Sequence, residues 1–203
     1  MAEEGHSHIS EKLIRLLDRL SEICSREFSG LTPYQFSWKA VPNKWSVSEC
    51  LQHSVLIVND FISRVDKISF KESHSFRKPY TNGRIGSLLI ERFSIREDNS
   101  IRKIRKCASK LSPDVNPEIT GIVILENFLA QTEKLKQILD KNKSIDLISN
   151  KINLFSLPFF KIRLGDFMLY TVAHIERHIV QAQKVLLEDN FPRPGFSGSA
   201  LSW

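Results

Sequence analysis

Residues 165–187 read GDFMLYTVAHIERHIVQAQKVLL and carry the strongest helical signal in the chain. The apolar residues of this stretch recur at spacings of three and four, which places them on one face of an amphipathic helix. Gly165 and Asp166 mark its start, because aspartate has the short polar side chain that N-cap positions favour. The stretch therefore predicts a long helix whose apolar face holds Phe167, Tyr170, Ile175, Val185 and Leu186.

Three further long helices are predicted from the same periodicity. Residues 9–28 form the first, with apolar side chains at helical spacing. Ser46 and Glu49 make a capping box at the start of the second, which runs to about residue 68. The third covers residues 117–143, with proline tolerated in its first turn.

The segments between these helices carry weaker signals. Residues 84–93 and 101–110 predict short helices, and residues 34–45 predict an irregular segment rich in aromatics. Strand signals are few, so the pattern predicts an all-α helical bundle in which a long link between the second and third helices can span the bundle. We expect one domain over residues 1–188 and a loosely ordered tail over 189–203, which is rich in Pro, Gly and Ser.

Composition limits the function classes. The 203 residues are 41% hydrophobic and 26% charged, so a full core is expected without disulfides or a structural metal. The polar, acidic start predicts no signal peptide, and no uncharged stretch reaches the length of a membrane span. Cys24, Cys50 and Cys107 lie far apart, which predicts reduced thiols, the first two buried in helices, in a cytoplasmic protein.

The formal net charge of +6 raises the alternative of a nucleic-acid-binding protein. The densest basic run is IRKIRKCASK at residues 101–110. Its apolar residues are spaced three and four apart, which is typical of a solvated helix face. Because no aromatics interleave the run and no DNA-binding motif is visible, we favour the solvated face and expect no nucleic-acid partner.

His174 and His178 lie four residues apart within the last predicted helix. This spacing puts both imidazoles on one face, about 6 Å apart along the axis, so both rings can reach one ion. Gln181 continues the same polar stripe at or near the apolar face. Buried imidazoles need partners for their ring nitrogens. The pair therefore indicates either a metal site or two histidines that hydrogen-bond to backbone or carboxylate groups.

His53 is the third candidate ligand, in the second predicted helix. It lies near the boundary of the apolar face, where a histidine by itself needs no special role. Glu49, one turn earlier, could accept the second ring N–H of His53, although its place in the capping box is the simpler explanation. Together with the pair in the last helix, His53 completes a set of three imidazoles.

Two stretches resemble the signatures of the DinB-like superfamily. The first is VPNKWSVSE at residues 41–49 followed by His53, which resembles a proline, then Lys-Trp-Ser, then a helix with Glu and His. The second is Leu-Gly-Asp at residues 164–166 followed by a pattern that resembles HxxRHxxQ, here His174, Arg177, His178 and Gln181. The resemblance covers roughly residues 10–188, and the chain departs from it in its basic middle and its tail.

The resemblance implies a four-helix bundle with a long crossover and one divalent metal ion on His53, His174 and His178. Some members of the superfamily are thiol S-transferases that join a low-molecular-weight thiol such as bacillithiol to an electrophile. Others are described as metal-dependent hydrolases. Three neutral imidazoles leave a coordination position open, as in catalytic sites, and imidazole suits zinc or nickel. At that position a thiol would lose its proton, whereas a bound water would give a hydrolase.

The remaining roles are less constrained by sequence. We expect Gln181 to orient a ligand and Glu49 to assist His53. Arg177 could bind a carboxylate or pair at the surface, and Trp45 is interpreted as packing at the base of the second helix. A non-catalytic metal- or ligand-binding bundle stays open as an alternative. A homodimer would be compatible with the helical bundle.

Overall fold

Six helices and one two-stranded sheet form the regular structure in a computed structural model that describes residues 6–70, 80–102, 112–113, 121–153 and 161–193. The helices are α1 (His6–Phe28), α2 (Pro33–Ser37), α3 (Val47–Val65), α4 (Arg84–Phe93), α5 (Gly121–Lys141) and α6 (Leu164–Leu186). The strands are β1 (Lys151–Asn153) and β2 (Lys161–Arg163), antiparallel with Ile152 opposite Ile162. The fold is therefore mostly helical, as predicted.

The four long helices make the core. α1 and α3 each pack against both α5 and α6, and large side chains such as Phe28, Phe61, Phe128 and Leu135 are fully buried between them. The sequence left open whether α3 and α5 are neighbours, and in the structure they pack directly together. No helix in the described ranges combines the length and hydropathy that a membrane span requires.

The capping box at the start of α3 is confirmed. Ser46 Oγ accepts from the backbone N–H of Glu49 at 3.2 Å, and Glu49 Oε2 accepts from the N–H of Ser46 at 2.8 Å. Since the first amides of a helix have no partner within it, this reciprocal pair fixes where α3 begins. His53 is thereby placed on the second turn of the helix.

The prediction that Asp166 caps the last helix is wrong. α6 begins earlier, at Leu164, because β2 leads directly into it through Arg163. Asp166 instead lies buried in the first turn, where a carboxylate still complements the helix dipole. It accepts from the Tyr80 hydroxyl at 2.5 Å and from the Gly83 amide at 3.1 Å, and so holds the start of α4 against α6.

One short helix and two short strands were not predicted. α2 occupies part of the segment expected to be irregular, with Thr32 as its N-cap and Gln35 completing a second capping box. β1 and β2 are three residues each, too short for a period to be visible. The chain after α6 packs back on α2, where Phe191 meets Trp38 edge to face at 5.5 Å.

Several sequence predictions lie wholly or partly outside the described residues. They concern the basic run after Arg102, the start of the third helix near Pro117, Cys107 and the tail from residue 194. Cys24 and Cys50 are buried free cysteines, as expected.

Candidate metal centre

α6 positions two of the candidate ligands inside the protein. The helix contacts α3, α1, α4 and both strands, so most of its circumference is covered. His174 and His178 are each only 6% exposed. Their rings are neighbours along the helix, tilted to each other with centroids 4.9 Å apart, as the spacing of four residues predicts.

His53 reaches the same place from α3. It is 1% exposed, whereas its position in the sequence predicted the boundary of the apolar face. The difference arises because α6 covers one side of this helix and the Trp45 ring, 4.9 Å away, covers His53 at the base of the helix. The ring of His53 lies 4.4 Å from that of His178 and 5.2 Å from that of His174, centroid to centroid.

The three histidines form one group of candidate ligand atoms. Each offers a ring nitrogen, and the three nitrogens lie within 4.8 Å of one another. Nε2 of His53 and Nε2 of His174 face each other at 3.4 Å. The structure therefore brings together the three side chains that sequence reasoning selected.

The spacing of these nitrogens fits a shared metal ion. Zinc binds imidazole nitrogen at about 2.0–2.1 Å in a tetrahedron, so two ligating nitrogens lie about 3.3–3.4 Å apart. The distance of 3.4 Å between His53 and His174 meets this value without any movement. The third nitrogen lies within 4.8 Å, so bringing it to ligand distance is a matter of side-chain rotation.

Burial keeps the rings neutral. It lowers the pKa of His174 to about 2, and the charges of His53 and Arg177 add to the effect. Burial also holds the pKa of His178 well below its usual value, with further contributions from His174, His53 and Arg177. A neutral imidazole has a lone pair to donate, so both rings are in the form that binds metal at pH 7.

Gln181 orients His178. Its Oε1 lies 3.2 Å from Nδ1 of His178, one turn further along α6. Because an amide oxygen only accepts, this contact places the ring proton on Nδ1 and leaves the lone pair on Nε2. Such a hydrogen bond from the second nitrogen commonly fixes the tautomer and orientation of a metal-binding histidine.

Glu49 is occupied at the start of α3. Its Oε2 belongs to the capping box, and its Oε1 binds Lys39 Nζ at 2.7 Å. The simpler interpretation of this residue is thus confirmed. Its assistance to His53 stays a prediction.

Three aromatic side chains pack against the imidazoles, and the sequence predicted this packing only in part. Trp45 was interpreted as packing at the base of its helix, but its ring also lies 5.2 Å from that of His178. Phe93 at the end of α4 lies 4.3 Å from the ring of His174, and Tyr170 lies 5.4 Å from it. No pattern in the sequence connects Phe93 with the histidines, because the packing of α4 on α6 brings it there.

Arg177 is not at the surface, contrary to one of its two sequence interpretations. It is 5% exposed, and its Nη2 donates to the backbone oxygen of Arg102. Burial lowers the pKa of its guanidinium, and the charge of Arg92 lowers it further. A buried cation therefore adjoins the histidine group on α6.

Comparison with protein-family models, curated proteins and solved structures found no match to this chain.

Proposed function

We propose that this chain is a metal-dependent enzyme of the DinB-like superfamily that activates a low-molecular-weight thiol for transfer to an electrophile. The observation that carries the proposal is the group of three buried histidines with ligand atoms within 4.8 Å of one another. These histidines belong to the two stretches that resemble the signatures of the superfamily. The geometry supports metal binding, and the resemblance supports the choice of reaction.

The arrangement of helices is compatible with the proposed four-helix bundle. Each of α1 and α3 contacts both α5 and α6, as expected when four helices surround a common core. A long segment that includes α4 separates α3 from α5 and would be the crossover. The buried free thiols of Cys24 and Cys50 agree with a reducing compartment such as the cytoplasm.

We propose zinc or nickel as the ion, held by His53, His174 and His178. Both metals accept imidazole ligands, and a set of three protein ligands leaves room for a substrate. A divalent ion bound there would favour the thiolate form of an arriving thiol, which is the nucleophilic form. Gln181 would keep Nε2 of His178 available to the ion.

The protein around the ion would exclude water. Trp45, Phe93 and Tyr170 place three aromatic rings within 5.4 Å of the imidazole rings, centroid to centroid. An apolar surrounding protects a thiolate from solvent and favours its attack on an electrophilic carbon.

The first test is metal content. Elemental analysis of untagged protein, incubated with zinc or nickel and desalted, should give one equivalent of metal in the wild type and none in His174→Ala. His8→Ala is the matched control, because His8 is an exposed histidine on α1 and its replacement should leave the content unchanged. A wild type that retains no metal would overturn the proposal.

The second test is the reaction. The metal-loaded protein is mixed with a small thiol and the chromogenic electrophile 1-chloro-2,4-dinitrobenzene, and thioether formation is followed by absorbance. We expect a rate above that of the free thiol, lost in His174→Ala. One equivalent of metal without any rate enhancement across several thiols would favour the alternative of a non-catalytic metal-binding bundle.

A further inference from the structure

Arg177 is a buried cation, and none of the described residues provides it with an anionic partner. Its side chain is 5% exposed, and Nη2 donates to the backbone oxygen of Arg102. Nη1 is fully buried and meets no hydrogen-bond partner in the part of the chain that the structure describes. Within that part, no carboxylate forms an ion pair with Arg177, whereas the neighbouring Arg102 is paired with Glu91 at 2.7 Å.

In the described part of the chain, the charged side chains near Arg177 do not neutralise the positive charge of its guanidinium. Arg92, at the end of α4, is close enough to lower its pKa further. Glu176 is the preceding residue in the chain, but the charge that acts on its carboxylate is that of Arg19 on α1. Since a guanidinium stays protonated in proteins, the positive charge at Arg177 persists. A buried charge without a counter-charge is strongly destabilising, because the protein replaces the water that would solvate it.

Arg177 belongs to the same region as the candidate metal centre. It follows His174 by three residues on α6, so the two Cβ atoms are about 5–6 Å apart on one face. Its charge acts on both His174 and His178. A second buried donor without a partner lies one turn away, since Nδ1 of His174 has no hydrogen-bond partner among the described residues while its Nε2 faces His53.

We propose that Arg177 Nη1 binds a carboxylate of the small molecule that occupies the metal centre. This inference rests on the proposed function, because it assigns the substrate a negative charge in addition to its thiol. Arginine is well suited to the role because its hydrogen bonds to carboxylates are charge-assisted. With a metal ion on Nε2 of His174, its Nδ1 would carry the ring proton, so Nη1 of Arg177 and Nδ1 of His174 would offer one donor to each oxygen of a carboxylate. Arg177 thus acts as a specificity-determining residue.

The test compares two thiols of the same length that differ in charge, 3-mercaptopropionate and 3-mercaptopropan-1-ol. Each is titrated into the cobalt(II)-loaded protein, and binding is read from the thiolate-to-cobalt charge-transfer band. The wild type should bind the carboxylate thiol tenfold to hundredfold more tightly, the range expected for a hydrogen bond between charged groups. In Arg177→Gln this preference should disappear, while the affinity for the neutral thiol stays the same.

Two further variants distinguish a hydrogen bond between Arg177 and the carboxylate from attraction by any nearby positive charge. Arg92→Gln removes a nearby exposed charge on α4 and should retain most of the preference. Arg177→Lys keeps a positive charge at the same position and should retain part of the preference for the carboxylate thiol. This variant also tests the inference if Arg177→Gln fails to fold. Equal affinities for both thiols in the wild type, or a preference that survives Arg177→Gln, would overturn the inference.

The two proposals can fail separately. Cobalt and neutral-thiol binding without a preference for the carboxylate leaves the proposed function intact and removes the role of Arg177. A protein that takes up cobalt but binds neither thiol overturns thiol activation and this inference with it. Cobalt content, measured for every variant, shows whether the metal site itself is preserved.

Discussion

Acid should destabilise the metal-free protein through its buried histidines. Burial and neighbouring charges lower the pKa of His174 to about 2 and hold that of His178 well below its usual value. In the unfolded chain both rings titrate near their ordinary pKa of about 6.5. Between these values the unfolded state binds more protons than the folded state, so stability rises with pH and is lost as the pH falls below about 6.5.

The size of the effect follows from these values. Lowering the pH from 7 to 5 protonates almost all of His174 in the unfolded chain and almost none of it in the folded protein. The linkage relation then gives a loss of about 2 kcal/mol for His174, and the lowered pKa of His178 acts in the same direction. A domain of ordinary stability, about 5–15 kcal/mol, would lose a large fraction of its free energy of unfolding.

Urea denaturation at pH 7 and pH 5 in the presence of a chelator measures this loss. The control is the double variant His174→Gln, His178→Gln, whose amides do not titrate. Glu176 acts in the opposite direction, since burial raises its pKa, but it is present in both proteins and cancels in the comparison. We expect the wild type to lose at least about 2 kcal/mol more than the double variant. Equal losses would show that the imidazoles are not held neutral, and the electrostatic argument for the metal centre would fail.

Two further predictions concern the support of the site and of the fold. Gln181→Met removes the acceptor at Nδ1 of His178 and should weaken zinc affinity about tenfold to hundredfold, measured by competition with a chromogenic chelator. Gln183→Met is the matched control, because Gln183 binds Glu27 instead, and its zinc affinity should stay that of the wild type. Gly86→Ala would drive a Cβ atom into the Asp166 carboxyl and should cost about 1–3 kcal/mol of stability in urea denaturation, as overpacking does.

Each of these predictions has a result that contradicts it. Unchanged zinc affinity in Gln181→Met would mean that the hydrogen bond does not orient His178. For the glycine, the control is Gly30→Ala, where an added Cβ meets nothing within 4 Å and the stability should change by less than about 0.5 kcal/mol. Similar losses in the two glycine variants would show that helix packing at Asp166 is not the cause.

The sequence predicted the long helices because each has a full apolar stripe. It missed α2, although the Thr32 and Gln35 capping box that starts this helix is visible in the sequence. The two strands could not be predicted, since three residues are too few to show alternation. The start of α6 was predicted wrongly at Asp166. Aspartate is a favourable N-cap residue, but the preceding strand leads into the helix two residues earlier, at Leu164.

The candidate site, like the fold, could be predicted from the sequence only in part. The spacing of His174 and His178 predicted a shared face directly, whereas His53 became a candidate ligand only in combination with that pair. Phe93 was unpredictable, because it reaches the imidazoles through the packing of α4 on α6. Local patterns therefore predict which residues share a helix face, but they do not predict which distant segment packs against it.

The separation of His53 and His174 along the chain has a consequence for the order of assembly. These ligands are 121 residues apart, so an unfolded chain would have to close a very long loop to bring both to one ion. For a loop of about 100 residues the entropic cost is about 4.7 kcal/mol, or roughly three orders of magnitude in affinity. The folded protein supplies this closure through the packing of α3 on α6. Loading with metal should therefore follow folding, and this ion, unlike those of small zinc-dependent domains, would be acquired by a site already built.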